Sequence, residues 1–153
     1  MKQGSTLFLK VVIYALGLAV LGLCVIIVGV SVSGNGGMFL PVLIVMGVAA
    51  IPFFYALHQG LKLLGYIDTN TAFSELSVTA IKNIKQCAFT ISVLYAVAMP
   101  YIIYVADKDD APGAVVMGLV FIVAPLIICV FAAVLQRLLQ SAIDIKSEND
   151  LTV

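Results

Sequence analysis

The chain has 153 residues, of which 63% are hydrophobic and 10% are charged, and its formal net charge is zero. Its mean hydropathy of +1.18 excludes an ordinary soluble domain, in which about 25% of the residues are charged. Lys and Arg form no cluster that would neutralise phosphates, so we expect no direct binding to nucleic acid.

Four apolar blocks without Asp, Glu, Lys, Arg or His follow one another, at residues 11–30, 38–57, 87–106 and 114–135. At about 1.5 Å per residue, a helix of such a length reaches about 30 Å, the thickness of the hydrocarbon core. Lipid offers the backbone no hydrogen-bond partner, so only helices and closed barrels cross it. The sequence therefore predicts an all-α, polytopic membrane protein, a four-transmembrane-helix bundle in one membrane domain over residues 1–153.

The positive charges between the blocks predict the orientation of this bundle. Only Lys108 is predicted on one side of the membrane; the other side has Lys2, Lys10, Lys62, Lys82, Lys85, Arg137 and Lys146. Short cytoplasmic segments carry an excess of Lys and Arg, which puts both termini in the cytoplasm. The cytoplasmic segments are then 1–10, 58–86 and 136–153, and the two outer connections are short turns.

The segment after block two continues the helical pattern of that block. Apolar side chains recur at i, i+4 and i+7 in Leu57, Leu61 and Leu64. Gly65 follows at a position where helices commonly end. We therefore expect helix two to extend beyond the membrane and to end near Gly65.

Helix three is predicted to begin well before block three. Residues 68–71 form a polar turn, after which Ser74 is a candidate N-cap and Glu75 suits the positive end of the helix dipole. An apolar stripe then leads into the membrane through Leu76, Ala80, Ile81 and Ile84.

The segment after block four also has two helical faces. The apolar face comprises Leu135, Leu138, Leu139 and Ala142, and the polar face comprises Gln136, Arg137, Gln140 and Asp144. We expect the cytoplasmic helical extensions to pack together through their apolar stripes; the alternative is that these stripes lie on the membrane surface.

The sequence carries no recognisable catalytic or metal-binding motif. Cys24, Cys87 and Cys129 stand singly, without the cysteine pair that thiol exchange requires. His58 is the only histidine, and neither HExxH nor a spaced Cys/His set accompanies it. A Walker loop and a GxSxG motif are also absent. We therefore predict a protein that is not an enzyme and has no catalytic residue, cofactor or metal ion.

The absence of ionisable residues from the blocks bears on transport. Proton-coupled carriers place an ionisable group within the bilayer, and the four blocks contain none. This pattern argues against proton-coupled transport. The prolines in or beside the blocks are Pro41, Pro52, Pro100 and Pro125. For these prolines we favour a structural role, as in ordinary membrane helices, over a role in a substrate site.

Two segments outside the blocks carry a family resemblance that covers essentially the whole chain. They are the turn YIDTNTAFSE at residues 66–75 and the ending QRLLQSAIDIKSENDLTV at residues 136–153. With the order of the spans, they resemble the DUF2975 family of four-span bacterial inner-membrane proteins of unknown function. The chain departs from the common family pattern in having TNTA at residues 69–72, where many members carry Gly and often Pro before the Phe.

The resemblance implies a location in the bacterial cytoplasmic (inner) membrane, but it supplies no catalytic residue. Members of the family are often encoded beside a small Cro-like helix-turn-helix regulator. The resemblance therefore implies such a regulator as a cytoplasmic protein partner.

The last residues of the chain are a candidate contact for a partner. Residues 148–150 are polar and typical of a turn, and residues 151–153 are a short β-prone tail that would dock on a partner or fray. Together with the start of helix three, the candidate partner-binding residues are Phe73, Ser74, Glu75, Glu148, Asn149, Asp150 and Leu151.

Two functions of different classes follow. The first is a non-enzymatic regulatory or interaction protein that presents its cytoplasmic face to a partner, because the inner segments are patterned and the outer loops are minimal. The alternative is a small channel, carrier component or immunity-type protein that changes membrane permeability, which would fit a homo-oligomer of kinked helices.

Overall fold

The structure is a computed structural model that describes residues 2–151, with side chains described for residues 4–151. Four long helices make up the described chain: α1 (Lys2–Val32), α2 (Leu40–Asp68), α3 (Glu75–Lys108) and α4 (Pro112–Leu151). A 3-10 turn at Gly37–Phe39 precedes α2. Each helix is long and apolar enough to cross a membrane. The prediction of an all-α protein with four membrane-spanning helices is thus confirmed.

The helices pack in chain order. Helix α1 packs against α2, α2 against α3, and α3 against α4, while α1 and α4 have little contact with each other. Helix α3 buries more residues than any other helix, and Val105 on it is almost fully buried. The core therefore follows α3, whereas α1 packs closely only against α2 among the described helices.

The turn between α2 and α3 differs from the sequence prediction. Helix α2 does not end near Gly65 but continues to Asp68. Asn70 then adopts a left-handed conformation with φ 61°, and the amide of Thr71 donates to the carbonyl oxygen of Tyr66 at 2.8 Å. This is a Schellman end, in which Asn takes the place that Gly commonly has. The prediction was wrong because it placed the end of α2 at the first glycine, Gly65, whereas the residue that ends the helix is Asn70.

Helix α3 ends in the same way as α2. Asp110 has φ 51°, and the amide of Ala111 donates to the carbonyl oxygen of Ala106 at 2.9 Å. At the same end of the bundle, the hydroxyl of Tyr101 donates to the carbonyl oxygen of Met38 at 2.7 Å. The turn between α1 and α2 is therefore tied to α3.

Small side chains let α3 and α4 approach each other. Gly118 is buried, and a Cβ atom at this position would lie 3.0 Å from the sulfur of Met99. The ring of Tyr95 stacks on that of Phe121, with the centroids 5.1 Å apart. These contacts make α3 and α4 the most closely packed pair in the bundle.

Candidate interaction surface at the helix ends

Helices α2, α3 and α4 extend beyond their apolar blocks at one end of the bundle. Helix α3 begins at Glu75, about 18 Å before block three, and α4 continues to Leu151, about 24 Å past block four. Helix α2 continues about 16 Å past Leu57 to Asp68. The predicted helical extensions are therefore present. We call residues 75–86 of α3 and 136–151 of α4 the helix-end surface.

The start of α1 belongs to the same end of the bundle. The ammonium group of Lys10 and the hydroxyl of Thr6 each donate to the carboxylate of Asp68, both at 2.6 Å. These hydrogen bonds, first that of Lys10 and then that of Thr6, lower the pKa of Asp68 below its ordinary value of 3.8. Because all three residues lie outside the apolar blocks, they join α1 to α2 beside the helix-end surface.

Polar side chains connect α3 to α4 across the helix-end surface. The ammonium group of Lys85 donates to Oε1 of Gln136 at 2.9 Å. Nearer the start of α3, Nε2 of Gln140 donates to Oε1 of Glu75 at 3.2 Å. The two extensions therefore contact each other, as we expected, but through polar groups.

The two faces of the α4 extension agree with the prediction in part: Leu139 and Ala142 are half-buried and Arg137 and Asp144 are exposed, as predicted. Leu135 and Leu138, which we expected to pack inward, are 54% and 63% exposed. Gln136 and Gln140, which we assigned to the polar face and expected to be exposed, are half-buried and contact α3. The prediction was wrong for Gln136 and Gln140 because Lys85 and Glu75 give α3 a polar edge, with which glutamine amides form hydrogen bonds and leucine does not.

The apolar stripe predicted at the start of α3 is correct in part. Ala80 and Ile81 are buried and Ile84 is half-buried, whereas Leu76 is exposed. Ser77, which the stripe omits, is fully buried. The buried face of this segment therefore includes Ser77 and excludes Leu76.

The structure puts the first group of predicted site residues at the beginning of α3. Ser74 is the N-cap residue, but its hydroxyl donates to the carbonyl oxygen of Thr71 at 2.6 Å and makes no side-chain cap to the helix. Glu75 lies in the first turn, as predicted, and Phe73 beside it is exposed. Phe73 is therefore accessible to a partner next to the contact between Glu75 and Gln140.

The second group of predicted site residues is helical rather than a turn. Helix α4 continues through Glu148, Asn149 and Asp150 to Leu151, and all four residues are exposed. Thr152 and Val153, the rest of the expected tail, lie outside the described residues. Glu148 is about 12 Å along α4 from Gln140, the residue that contacts Glu75. The two groups therefore do not form one cluster.

We did not predict from the sequence that two apolar residues of the α4 extension, Leu138 and Ile145, are exposed. Leu138 and Ile145 lie seven residues apart, hence on one face of α4, and they are 63% and 66% exposed. Both stand beyond the apolar block that ends at Leu135. The spacing of apolar residues was visible in the sequence, but it gave no sign that this face points away from α3.

The described residues offer little material for metal or redox chemistry. Within residues 2–151, no group of three or more His, Cys, Asp or Glu side chains is placed to hold a metal ion. Cys24, Cys87 and Cys129 are free cysteines.

Comparisons with known proteins agree with this architecture. The family model DUF2975, described as a protein of unknown function, matches residues 12–153. The "Uncharacterized membrane protein YoaS" of Bacillus subtilis (strain 168) is 52% identical over 160 residues, which cover 100% of both chains. No solved structure matches the chain. The chain therefore belongs to the DUF2975 family of membrane proteins.

Proposed function

We propose that this chain is a non-enzymatic interaction protein of the bacterial inner membrane, whose helix-end surface binds a cytoplasmic protein. The observation that carries the proposal is the exposure of Leu138 and Ile145 on one face of α4, beyond the apolar block. Apolar side chains exposed together outside the bilayer are typical of protein interaction sites. The hydrogen bonds from α3 to Gln136 and Gln140 support the opposite face of this helix.

The charge distribution supports a cytoplasmic location for this surface. Among the charged residues with described side chains, Lys10, Lys62, Lys82, Lys85, Arg137 and Lys146 all belong to the segments at the helix-end side. Lys108 is at the other end, where its ammonium group lies 5.7 Å from the ring centroid of Tyr104. By the positive-inside rule, the helix-end surface faces the cytoplasm.

The family resemblance suggests the kind of partner. A small helix-turn-helix regulator is an all-helical protein, and an apolar helix face such as that of Leu138 and Ile145 suits a groove between helices. The chain itself would then hold the regulator at the membrane without contacting nucleic acid.

The alternative of a permeability-affecting protein gains no support from the interior of the bundle. Pathways for ions are lined by carbonyl oxygens, charged side chains or other polar groups. The space between the four helices is instead lined by apolar and aromatic side chains.

Co-purification tests the proposed function. The full chain is expressed with a small Cro-like helix-turn-helix regulator of the same genome and is extracted in mild detergent. We expect the regulator to co-purify, and we expect Leu138→Lys with Ile145→Lys to abolish its recovery. Asn35→Lys, which adds a charge at an exposed residue of the turn at the other end of the bundle, is the control. Failure to recover the regulator, or equal recovery with all variants, contradicts the proposal.

A further inference from the structure

An apolar groove runs along the middle of the bundle. It consists of two adjoining cavities of about 440 and 400 Å³. The cavities share four lining residues, one from each helix, so they lie next to each other along the bundle. These residues are Leu23, Met46, Tyr95 and Phe121.

The groove is elongated and lies at the depth of the apolar blocks. On α1 its lining runs from Leu16 to Ile27, about 16 Å, and on α4 from Ala114 to Ile128, about 21 Å. None of the lining residues carries a charged side chain. Its shape and lining therefore suit a linear hydrocarbon chain and not a polar solute.

Small side chains make the space between the helices. Five alanines line the wider cavity together with Pro125, which cannot donate a backbone hydrogen bond within α4. The alanines are Ala49, Ala50, Ala56, Ala88 and Ala124. The groove thus exists because α2, α3 and α4 present small side chains to it, whereas α1 contributes none of these alanines.

The groove opens toward the bilayer between α1 and α4. These two helices both line it, yet they have little contact with each other. Leu16 and Leu23 on α1 and Ile128 on α4 are lining residues that are also exposed at the surface. A molecule within the bilayer therefore reaches the groove sideways, without passing through water.

We propose that the acyl chain of a bilayer phospholipid occupies this groove. Protein interiors are close-packed, and an empty space of this size would lose the dispersion contacts of its whole lining. Water does not fill apolar cavities. Hydrocarbon is the solvent on the open side of the groove, and it matches the lining in polarity.

Quenching by lipid bromine tests the proposal directly, because the chain contains no Trp. Phe53 lines the groove, whereas Phe131 is 66% exposed on the surface of α4. Each stands four residues before the inner end of its apolar block, at Leu57 or Leu135, so the two are matched in depth. Single variants Phe53→Trp and Phe131→Trp are placed in vesicles of phosphatidylcholine brominated in the middle of its acyl chains.

We expect Trp fluorescence in Phe53→Trp to be quenched at least half as strongly as in Phe131→Trp. Adding Ala124→Phe, which fills the groove, should reduce quenching in Phe53→Trp and leave Phe131→Trp unchanged. Val123→Phe is the control, because Val123 is exposed on α4 and does not line the groove.

Three results would overturn the proposal. Weak quenching in Phe53→Trp beside strong quenching in Phe131→Trp would mean that protein closes the groove. Quenching in Phe53→Trp that Ala124→Phe leaves unchanged would put the lipid elsewhere. Quenching that rises as the protein is diluted in lipid would identify a second copy of the chain as the occupant. The quenching of Phe131→Trp, measured with and without Ala124→Phe, verifies that the protein is inserted in the vesicles.

Discussion

The hydroxyl of Ser92 on α3 donates a hydrogen bond of 2.9 Å to the carbonyl oxygen of Ile122 on α4. Ile122 lies three residues before Pro125, in the turn where the proline ring disturbs the helix and removes a backbone donor. The carbonyl oxygen that loses its intrahelical donor is that of Phe121, four residues before Pro125, and Ser92 therefore gives α4 a donor from outside at the next residue. Serine hydroxyls commonly supply such donors between membrane helices.

Removing this hydroxyl should destabilise the pair α3 and α4. We expect Ser92→Ala to lower the free energy of unfolding by about 1 kcal/mol, the usual size of a hydrogen bond between membrane helices. Unfolding by steric trapping in bicelles measures the change. Thr90→Val is the control, because the Thr90 hydroxyl bonds only within its own helix, to the carbonyl oxygen of Gln86. Equal effects of the two variants would show that the contact with Ile122 adds no stability.

The left-handed residues at the helix ends give a second prediction. A β-branched residue is strained by about 1 to 2 kcal/mol in this conformation, whereas Gly adopts it freely. We therefore expect Asn70→Val to lower the free energy of unfolding by about that amount and Asn70→Gly to preserve it. Asp110, with φ 51°, is an independent repeat of the same comparison. If Val and Gly variants are equally stable at both sites, the two turns do not have the described backbone.

The contact of Lys10 with Asp68 predicts a dependence on pH. Because the pKa of Asp68 is lower in the folded protein than in the unfolded chain, its stabilising effect is complete above the unfolded pKa of about 3.9. The effect is lost as the pH falls through the folded pKa. We expect the stability difference between the parent chain and Asp68→Asn to be constant near pH 7, to begin to fall at about pH 4 and to disappear only as the pH falls below the folded pKa.

Unfolding in detergent at a series of pH values measures that difference. Asp150→Asn, at an exposed residue near the end of α4, is the control and should differ little from the parent at any pH. A difference for Asp68→Asn that persists at low pH would contradict the ion pair as its cause.

The four spans were predictable from the sequence, but the helix ends and faces were only partly so. The blocks lack charge over a length that fits the bilayer, and no other class of structure explains this. The end of α2 depends on Asn70, because the turn is closed by hydrogen bonds of residues 70 and 71 rather than by a glycine. Apolar spacing indicates a helix but does not say which face meets its neighbour when that neighbour is polar, as at Gln136 and Lys85.

The groove was beyond sequence reasoning for a different reason. Its existence depends on the packing order, in which α4 returns beside α3 and leaves α1 largely without contact to it. Apolar periodicity carries no information about a missing contact. Pro125 illustrates the consequence, since a structural role was expected for it and it also lines the groove.

Orientation in the membrane has its own test. The native cysteines at positions 24, 87 and 129 are replaced by Ala, and either Ser147→Cys or Asn35→Cys is introduced. We expect a membrane-impermeant maleimide to label the Asn35→Cys variant in intact cells and the Ser147→Cys variant only after permeabilisation. The reverse pattern would put the helix-end surface outside the cell.

Site-specific photo-crosslinking in living cells tests whether the helix-end surface binds a cytoplasmic protein, because it reports on that surface in its own membrane. A photoreactive amino acid replaces Ile145, which is exposed on α4, and in a parallel strain it replaces Val116 near the other end of that helix. We expect a covalent adduct with one cytoplasmic helix-turn-helix protein from position 145, none from position 116, and loss of the adduct on adding Leu138→Lys. Adducts with no protein at position 145, or an adduct that Leu138→Lys leaves unchanged, would contradict this expectation.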